Sequence, residues 1–387
     1  MSKFFRNLVF FLVIPVCFFT PTVILFLISG EMYSLPAVER LSRGDRTILF
    51  STAYSNFHPR LQKDEVIARK PVILALGSSR VGEFRGAFFK DPRVFYNATG
   101  VVMTMSDFGT FFKTVTPYTP QILIVGMDHY FFNPEYTVKD LAHREDPFRS
   151  DPVMNHEIFL DAFFRNGGWW KVYRDYAKGK FTLASVFNSP ENATVIGLRA
   201  RAVGSGSIND GSDYYGEVIH SRAMQQTVLT NISNLAGEIS PTNGGEYGSS
   251  ISVDALNELR DFLAFCETNG IFVVGFLPPI SHAVYEQLGN YPDASYESSF
   301  RRLAPILASL YEEHSFDFYD FSDITSFGSS DSEMVEAKHG SEKMYARLFI
   351  HMAEHSKHIS PFVDLVSLRT NLEAASSTYV VFPPHGL

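Results

Sequence analysis

The N-terminal region contains 22 consecutive residues without a charge, from Leu8 to Ser29. As a helix this run would be about 33 Å long, which matches the roughly 30 Å hydrocarbon layer of a bilayer. Lys3 and Arg6 precede the run, and Glu31 and Glu39 follow it. Because basic residues favour the cytoplasmic side, the pattern predicts a single-pass membrane span with a cytoplasmic N-terminus and everything after it outside the cytoplasm.

A cleaved signal peptide is the competing explanation for such a run. Its apolar region is usually about 7 to 15 residues long and ends at a small-residue cleavage site, and neither feature is present. Val16 stands before Cys17, so the small residue expected before a lipoprotein cysteine is also missing. We therefore expect residues 1–30 to form an uncleaved anchor in the inner (plasma) membrane, with an extracytoplasmic or periplasmic domain.

The composition excludes several classes of protein. Of the 387 residues, 45% are hydrophobic and 19% are charged, which is typical of a chain with a folded core. The formal charge of −9 argues against a nucleic-acid partner, because a phosphate backbone needs a basic surface. Two cysteines, Cys17 and Cys266, are too few for a disulfide framework.

Five short apolar runs indicate the strands of a parallel sheet. The first, at residues 71–77, is continuously apolar, as in a strand buried on both faces, and residues 94–98, 121–126 and 271–277 resemble it. Residues 316–321, which include two aspartates, are a weaker fifth. Helical periodicity is clearest over residues 253–268, where Ser252 can cap the start and Gly270 follows the end. Alternating strands and helices predict an α/β fold with a parallel sheet flanked by helices.

The positions of these runs predict the domain organisation. Residues 31–70 lack strong periodicity and suggest a stalk plus an entry segment to the domain. Residues 71–356 suggest the α/β domain, and residues 357–387 suggest a C-terminal tail. The roughly 120 residues of 130–250 are too many for an ordinary connection between two elements. They predict an inserted subdomain or cap near the site, and an insertion that only packs on the sheet edge is the alternative.

Residues able to do chemistry follow the first run and precede the last helix. Ligands of open α/β sheets bind beyond the carboxyl ends of the strands, where Gly77-Ser78-Ser79-Arg80 follows the first run. A serine on such a turn exposes its hydroxyl near backbone N–H groups that can hold an oxyanion. Glu336 lies three residues before His339, where a carboxylate can orient the imidazole while its other nitrogen takes the serine proton. These are the parts of a catalytic triad.

The two motifs resemble those of the SGNH (GDSL-type) hydrolases, and among them the membrane-anchored polysaccharide acyltransferases of the DltD and AlgJ/AlgX type. The resemblance covers residues 71–128 and 271–355. It implies an SGNH or flavodoxin-like sheet, with Ser79 as nucleophile, His339 as general base and Glu336 as the acid that orients it. The family usually has aspartate at the position of Glu336, and the longer side chain can still reach the imidazole.

The oxyanion hole is where the chain departs most from the family pattern. The backbone N–H of Gly100 matches one family donor, but the family's Gly-x-Asn-Asp block is Gly126-Met127-Asp128-His129 here. An ionised Asp128 at the asparagine position would repel the oxyanion, and loss of one donor typically costs about 100- to 1000-fold in rate. Alternatively, Asp128 binds the acceptor hydroxyl or an arginine, and Asn97 supplies the amide.

Two interpretations are open for the residues beside the serine. Ser78 is either a second candidate nucleophile or a turn residue. Arg80 either holds an anionic or sugar group or forms an ion pair. Asp128 and His129 follow the third run and are expected in the same cleft.

More distant polar residues also have two interpretations. Arg199, Arg201 and His220 either contact a polysaccharide or form a charged surface of the insertion. The segment His351-Met-Ala-Glu354-His355 fits the H-x-x-E-H zinc-peptidase pattern. On a final amphipathic helix, however, such residues usually form a polar outer face, so no metal site is expected.

The sequence therefore leads to one expected function and two alternatives. The expected function is O-acyl transfer to a cell-envelope polysaccharide through an acyl-serine, without a cofactor. The resemblance implies an acyl donor delivered by a multispanning membrane-bound O-acyltransferase (MBOAT) partner. The alternatives are a carbohydrate esterase or deacetylase, and a non-catalytic envelope protein that binds glycan or acts as a scaffold.

Overall fold

The computed structural model describes residues 3–55, 58–136, 160–187, 190–238, 248–289 and 294–387. The strands within these ranges are β1 (Thr47–Phe50), β2 (Ile73–Leu76), β3 (Phe95–Ala98), β4 (Ile122–Gly126), β5 (Ala193–Ile196), β6 (Ser205–Ser207), β7 (Asp213–Tyr215), β8 (Phe272–Leu277), β9 (Asp317–Asp320), β10 (Met334–Glu336) and β11 (His339–Gly340). The α-helices are α1 (Lys3–Ser29), α2 (Leu35–Ser42), α3 (His58–Arg69), α4 (Met105–Val115), α5 (Gly168–Ala177), α6 (Leu183–Phe187), α7 (Leu198–Val203), α8 (Gly216–Ile219), α9 (Arg222–Glu238), α10 (Val253–Thr268), α11 (His282–Gly289), α12 (Ala294–Glu313), α13 (Glu342–His355) and α14 (Leu365–Ala374).

The main sheet is parallel and has the strand order β3-β2-β4-β8-β9. Each of its strands lies within one of the five apolar runs, so the prediction of a parallel sheet in an α/β fold is confirmed. This order is that of flavodoxin-like doubly wound sheets, in which the winding reverses between the first and third strands in the chain. Here those strands are β2 and β4, and ligands of such sheets bind at their carboxyl ends.

Helices cover both faces of this sheet. Ile73 faces one side and Leu74 the other, and both are completely buried. The Leu74 side packs against α4, α10 and α12, and the Ile73 side packs against α13 and α14. Helix α10 has the predicted bounds, and the Ser252 hydroxyl accepts the predicted capping hydrogen bond from the Ala255 N–H at 3.2 Å. Burial on both faces explains why β2, β4 and β8 are continuously apolar, whereas the edge strand β9 is partly exposed and contains Asp317 and Asp320.

A second sheet joins two parts of the chain that are distant in sequence. Its order is β5-β1-β6-β7, with β5 parallel and β6 antiparallel to β1. Strand β1 comes from residues 31–70, so the prediction of a stalk there is wrong. Leu35, Val38 and Ile48 are buried in a core that also contains Ile196 of β5. The described residues of 31–70 are therefore part of the folded domain.

The described part of residues 130–250 is not a separate insertion. Its strands β5 and β6 pair with the two edges of β1, whose backbone N–H and C=O groups would otherwise lack partners. Residues 137–159, 188–189 and 239–247 of this predicted insertion lie outside the described residues. The prediction of an inserted subdomain is wrong for the part that carries β5, β6 and β7, because β5 and β6 pair with β1. Ser207 and Asp213 of this part nevertheless line a cavity together with Ser79, which is where a cap near the site is predicted.

The C-terminal residues 357–387 also belong to the main domain instead of forming a tail. Helix α14 packs on α13, and Leu368 and Leu372 are part of the sheet core. The Glu342 carboxylate accepts hydrogen bonds from the backbone N–H groups of Val381 (3.1 Å) and Phe382 (2.6 Å). These contacts fix the chain terminus against the start of α13.

Helix α1 is the one described helix that is long and apolar enough to cross a membrane. Its end is attached to the second sheet by several hydrogen bonds. The Gly197 N–H donates to the Ser29 carbonyl at 2.7 Å, and the buried Glu31 carboxylate accepts from the N–H groups of Ala53 (2.6 Å) and Leu198 (2.8 Å). The helix is thus joined to the folded domain without an intervening stalk.

The packing of β8 gives a test of the main core. Gly275→Ala would place a Cβ 2.3 Å from the ring of the buried Tyr311. Because overpacking a core costs about 1–3 kcal/mol, we expect the melting temperature of the detergent-solubilised protein to fall by several degrees.

The matched control is Gly109→Ala in α4, where nothing lies within 4 Å of the added methyl group. Alanine favours a helix interior by roughly 0.5–1 kcal/mol, so this variant should melt at or above the wild-type temperature. Equal melting temperatures for wild type and Gly275→Ala would contradict the described packing of Tyr311.

Candidate active site

The turn after β2 separates the two adjacent serines. Ser78 is buried, and its hydroxyl accepts a hydrogen bond from the Arg80 N–H at 3.1 Å, which starts a 3-10 helix over Ser79–Val81. Gly77 has no side chain to obstruct this turn, since a Cβ there would lie 2.7 Å from Val81 Cγ1. The tight turn leaves Ser79 exposed to solvent. Ser78 is therefore the turn residue and Ser79 the accessible hydroxyl.

A short antiparallel hairpin, β10-β11, holds the acid and the histidine. Glu336 and His339 occupy directly opposite positions of the hairpin, where side chains are close enough to interact. The hairpin leads directly into α13, whose first turn is capped by the Ser341 hydroxyl. The three-residue spacing in the sequence thus corresponds to a cross-strand pair.

The hairpin brings His339 to Ser79 across 260 positions of sequence. His339 Nε2 lies 2.8 Å from Ser79 Oγ, and its Nδ1 is hydrogen-bonded to Glu336 Oε1. The hydrogen bond from His339 lowers the pKa of the Glu336 carboxyl below its usual value. The predicted contact between hydroxyl and imidazole is present, and a carboxylate on the second ring nitrogen can stabilise an imidazolium.

Asp128 and Arg80 form a buried ion pair beside this site. Arg80 Nη1 lies 3.2 Å from Asp128 Oδ1, and both side chains are almost fully buried. The pair joins the residues that follow β2 and β4, and the Tyr345 hydroxyl donates to the Arg80 carbonyl from α13. Of the predicted alternatives for Asp128, the structure contains the one in which it binds an arginine.

The side-chain amide of Asn97 does not serve as a donor to the oxyanion. Its side-chain amide donates to the carbonyls of Val81 (2.7 Å) and Phe84 (3.1 Å), so both donor hydrogens are used to hold the segment after Ser79. The prediction of Asn97 as an oxyanion donor is therefore wrong. A buried amide adjacent to a turn forms the nearest available backbone bonds, which the sequence does not specify.

Gly100 lies in the loop that packs against the serine turn. The Thr99 hydroxyl donates to the Ser78 carbonyl at 3.2 Å, and the Val102 N–H donates to the Gly77 carbonyl at 3.2 Å. Gly100 adopts φ +73°, a conformation that favours glycine. The loop is thus in position beside Ser79, and the role of the Gly100 N–H remains a prediction.

A cleft of about 470 Å³ opens at Ser79 and is formed largely by the second sheet and its flanking residues. Its lining is rich in hydroxyl groups and contains Phe50, Ser51, Thr52, Ser55, His58, Ser79, Arg199, Ser205, Gly206, Ser207, Asp213, Tyr214, Tyr215 and Glu217. Sequence reasoning missed this cleft, because it depends on the pairing of β1 with β6. The hydroxyl-rich lining can bind a polar ligand with many hydrogen-bonding groups.

Asp213 is a second carboxylate in the cleft that sequence reasoning did not identify. Its N–H donates to the Gly82 carbonyl at 2.8 Å, and its carboxylate accepts from the Ser207 hydroxyl at 3.2 Å. A Cβ at Gly82 would lie 2.4 Å from Asp213 Oδ2, so the carboxylate packs directly against the segment after Ser79. Burial raises the pKa of Asp213 to about 6.

The other predicted polar residues are distributed differently from expectation. Arg199 is exposed and lines the cleft. Arg201 donates to the carbonyls of Val186 and Ser29, and His220 Nε2 lies 2.8 Å from the Tyr214 hydroxyl. Arg201 therefore connects two backbone segments, whereas His220 is exposed at the surface.

His129, which was expected in the cleft, is buried and stacks on Phe300 at 4.9 Å between ring centroids. Although His129 lies shortly after the end of β4, its side chain therefore packs in the protein interior. The cleft lining does not include Asp128 or His129.

The histidines of the H-x-x-E-H segment lie on α13. Ligand atoms of His351, Glu354 and His355 are within 4.8 Å of one another, as helical spacing requires. Glu354 also pairs with Arg369 of α14. His355 is the last of the 14 residues of α13, roughly 20 Å along the helix from its start near the hairpin. These residues are separate from the candidate site.

The described residues define an α/β protein with a serine, a histidine and a glutamate in hydrogen-bonded sequence at the carboxyl edge of a parallel sheet. No protein-family model, curated protein or solved structure matches the chain.

The pKa of Asp213 leads to a prediction about stability and pH. Because burial raises its pKa from 3.8 to about 6, the folded chain binds this proton more tightly than the unfolded chain. Stability is therefore lost as the pH rises through this interval and stays lower above it. Asp213→Asn cannot ionise, so it should raise the free energy of unfolding by about 1–3 kcal/mol at pH 8 and by much less at pH 4.

Urea unfolding of the two proteins at several pH values measures this difference. Asp45→Asn, at an exposed loop position, is the control for exchanging a carboxylate for an amide. A difference between Asp213→Asn and wild type that does not change with pH would contradict the prediction.

Proposed function

We propose that this protein is a membrane-anchored, extracytoplasmic serine acyltransferase of the SGNH type that modifies a cell-envelope polysaccharide. The observation that carries the proposal is the 2.8 Å contact between Ser79 Oγ and His339 Nε2, with Glu336 on the other ring nitrogen. The strand order supports it, because Ser79 follows β2 at the point where the winding of the sheet reverses.

The geometry supports a two-step reaction. Ser79 Oγ attacks the carbonyl carbon of the acyl donor while His339 Nε2 takes the hydroxyl proton. The tetrahedral intermediate collapses to an acyl-serine, and the leaving group departs with the proton from His339. A sugar hydroxyl then gives its proton to His339 and attacks the acyl-serine, which transfers the acyl group and regenerates Ser79. Glu336 stabilises the imidazolium in both steps.

The environment of the oxyanion differs from the pattern of the family. In the proposal, the backbone N–H groups of Ser79 and Gly100 donate to the oxyanion. Arg80 neutralises Asp128, so the carboxylate at the usual asparagine position does not repel the developing charge. One amide donor is nevertheless absent at that position, so a modest rate is expected with simple esters.

Two observations favour transfer to a glycan, and one favours hydrolysis. The hydroxyl-rich cleft at Ser79 suits a polar acceptor, with Arg199, Tyr215 and Glu217 among the groups that would contact it. Helix α1 would keep the site near a membrane-borne donor, for which an MBOAT-type partner is the proposed source. Because Ser79 is exposed, water is the competing acceptor, and an esterase or deacetylase is the second candidate function.

The nucleophile is tested with a fluorophosphonate that phosphonylates activated serines. We expect the label on Ser79 of the full-length protein, and none on Ser79→Ala. His339→Ala should slow labelling by about 100- to 10,000-fold, because the hydroxyl loses its general base. Ser332→Ala and His351→Ala, which change residues outside the site, are the matched controls. A label mapped to another serine, or equal labelling of His339→Ala, would remove the proposed nucleophile.

Transfer and hydrolysis are distinguished with an aryl acetate as donor. In the presence of an envelope glycan, the full-length enzyme should release the aryl group faster and produce acetylated glycan. Release that does not change with glycan, and that yields only acetate, indicates an esterase. If the protein releases no aryl group and its Ser79 is also unlabelled, the results would support the non-catalytic glycan-binding or scaffold alternative.

A further inference from the structure

Residues 160–187 carry an unusual number of exposed apolar side chains. This segment, here called the collar, contains a π-helical turn at Asp161–Arg165, helix α5 and helix α6. Six large side chains in it are between 44% and 58% exposed: Leu160, Phe164, Trp170, Tyr176, Leu183 and Phe187. So many exposed large apolar groups in 28 residues of sequence indicate a surface that is covered by something.

The collar packs around the second half of α1. The ring of Phe18 lies 5.1 Å from that of Tyr173 and 6.3 Å from that of Trp170, and the Tyr173 hydroxyl donates to the Phe18 carbonyl. Phe26 is fully buried in the same apolar cluster as Phe163. The face of α1 turned away from the collar stays exposed, so the apolar surface of the collar continues onto α1.

The length of α1 decides how deep the collar lies. The described side chains of residues 8–17 are exposed, and contacts with the collar begin at Phe18. Those ten residues span only about 15 Å, half of a hydrocarbon layer of roughly 30 Å. The uncharged run therefore reaches across a bilayer only if residues 18–29 also lie within it, and the collar is attached to those residues.

The collar has the composition of a membrane interface. It contains two tryptophans, three further Phe residues besides Phe187, and five basic side chains against two acidic ones: Arg165, Lys171, Arg174, Lys178 and Lys180, with Asp161 and Asp175. The net charge of the whole chain is −9, so this basic segment is an exception. Aromatic residues and long basic side chains are typical of segments that lie at the boundary of headgroups and acyl chains.

We propose that the collar is inserted into the leaflet on the ectodomain side of the membrane, with its exposed apolar side chains in contact with lipid. The proposal rests on α1 being a membrane anchor, but not on acyl transfer. The helical backbone of the collar is compatible with this position, because its N–H and C=O groups are paired within the helices. The bilayer is the occupant that fits both the continuity with α1 and the charge of the collar.

Insertion of the collar would also bring the cleft close to the membrane. A second cavity of about 390 Å³ is lined by Phe181 and Lys180 of the collar, and it shares Thr52 and Arg199 with the cleft at Ser79. Tyr54, which also lines this cavity, stacks on Phe26 of α1 at 5.5 Å. The cavity therefore gives the cleft a side that faces the collar and the lipid surface.

Tryptophan fluorescence tests the insertion, because the only two tryptophans of the chain, Trp169 and Trp170, lie in the collar. The full-length protein is reconstituted into phosphatidylcholine vesicles with plain or brominated acyl chains, since bromine quenches a tryptophan that it contacts. If the collar is inserted, emission in brominated vesicles should fall by on the order of half. Equal emission in both kinds of vesicle would overturn the proposal.

Single variants assign the signal. Trp169→Phe retains the exposed Trp170 and should retain the quenching. Phe164→Asp places a charge on the exposed surface of the collar and should reduce it, whereas Val366→Asp, at an apolar side chain of α14 that is 78% exposed, should not. Equal reduction by both aspartates would count against the collar as the inserted surface.

Two further measurements separate this proposal from the proposed function. A cooperative thermal transition of the reconstituted protein shows that each variant is folded. Fluorophosphonate labelling of Ser79 in the same vesicles reports on the catalytic proposal. Quenching without labelling would support insertion of the collar and contradict the catalytic proposal. Labelling without quenching would support the catalytic proposal and contradict insertion of the collar.

Discussion

The ion pair between Arg80 and Asp128 is the interaction on which the candidate site most depends. It joins the residues that follow two neighbouring strands of the main sheet, within one residue of Ser79. Both partners are almost fully buried, and removing one partner of a buried ion pair typically costs about 3–5 kcal/mol. The Tyr345 hydroxyl of α13 donates a hydrogen bond to the Arg80 carbonyl, which attaches α13 to the same segment. The serine turn is thereby held from both sides.

The candidate catalytic groups and the cleft come from different layers of the molecule. Ser79 belongs to the main sheet, and Glu336 and His339 belong to the hairpin before α13. The cleft is built from β1, β6 and β7 with their flanking residues, which form the second sheet. Asp213 connects the two layers, because its backbone bonds Gly82 while its side chain lines the cleft. Chemistry and ligand binding are thus assigned to separate parts of the chain that meet at Ser79.

The attachment of α1 follows from the same second sheet. Ser29 and Glu31 accept hydrogen bonds from the segments that follow β1 and β5, so the helix continues from the folded core. If α1 spans a membrane as proposed, this attachment would hold the candidate site at a fixed height above it, whereas a stalk would leave that height variable. In the proposed function, such a height would suit an acyl donor carried by the membrane, and the collar would be a structural part of the anchor.

The sequence by itself determined the features that local patterns encode. Continuous apolar runs identified the strands of the main sheet, because burial on both faces leaves that signal in each strand separately. The Ser252 cap and the glycine after the helix set the bounds of α10. The motifs around Ser79 and His339 identified the two residues that form one hydrogen bond. Each of these depends on neighbours within a few positions.

Only the tertiary structure decided which distant segments pair. Strand β1 is four residues long and carries little signal of its own, and its partners lie about 145 positions later, so a stalk and an insertion were predicted where one sheet exists. The side-chain amide of Asn97 can donate to any nearby acceptor, and in the fold it donates to the carbonyls of Val81 and Phe84. The position of Asp213 beside Gly82 likewise follows from long-range pairing. Such contacts depend on which backbone groups still need partners once the main sheet has formed, and no local pattern of residues records that.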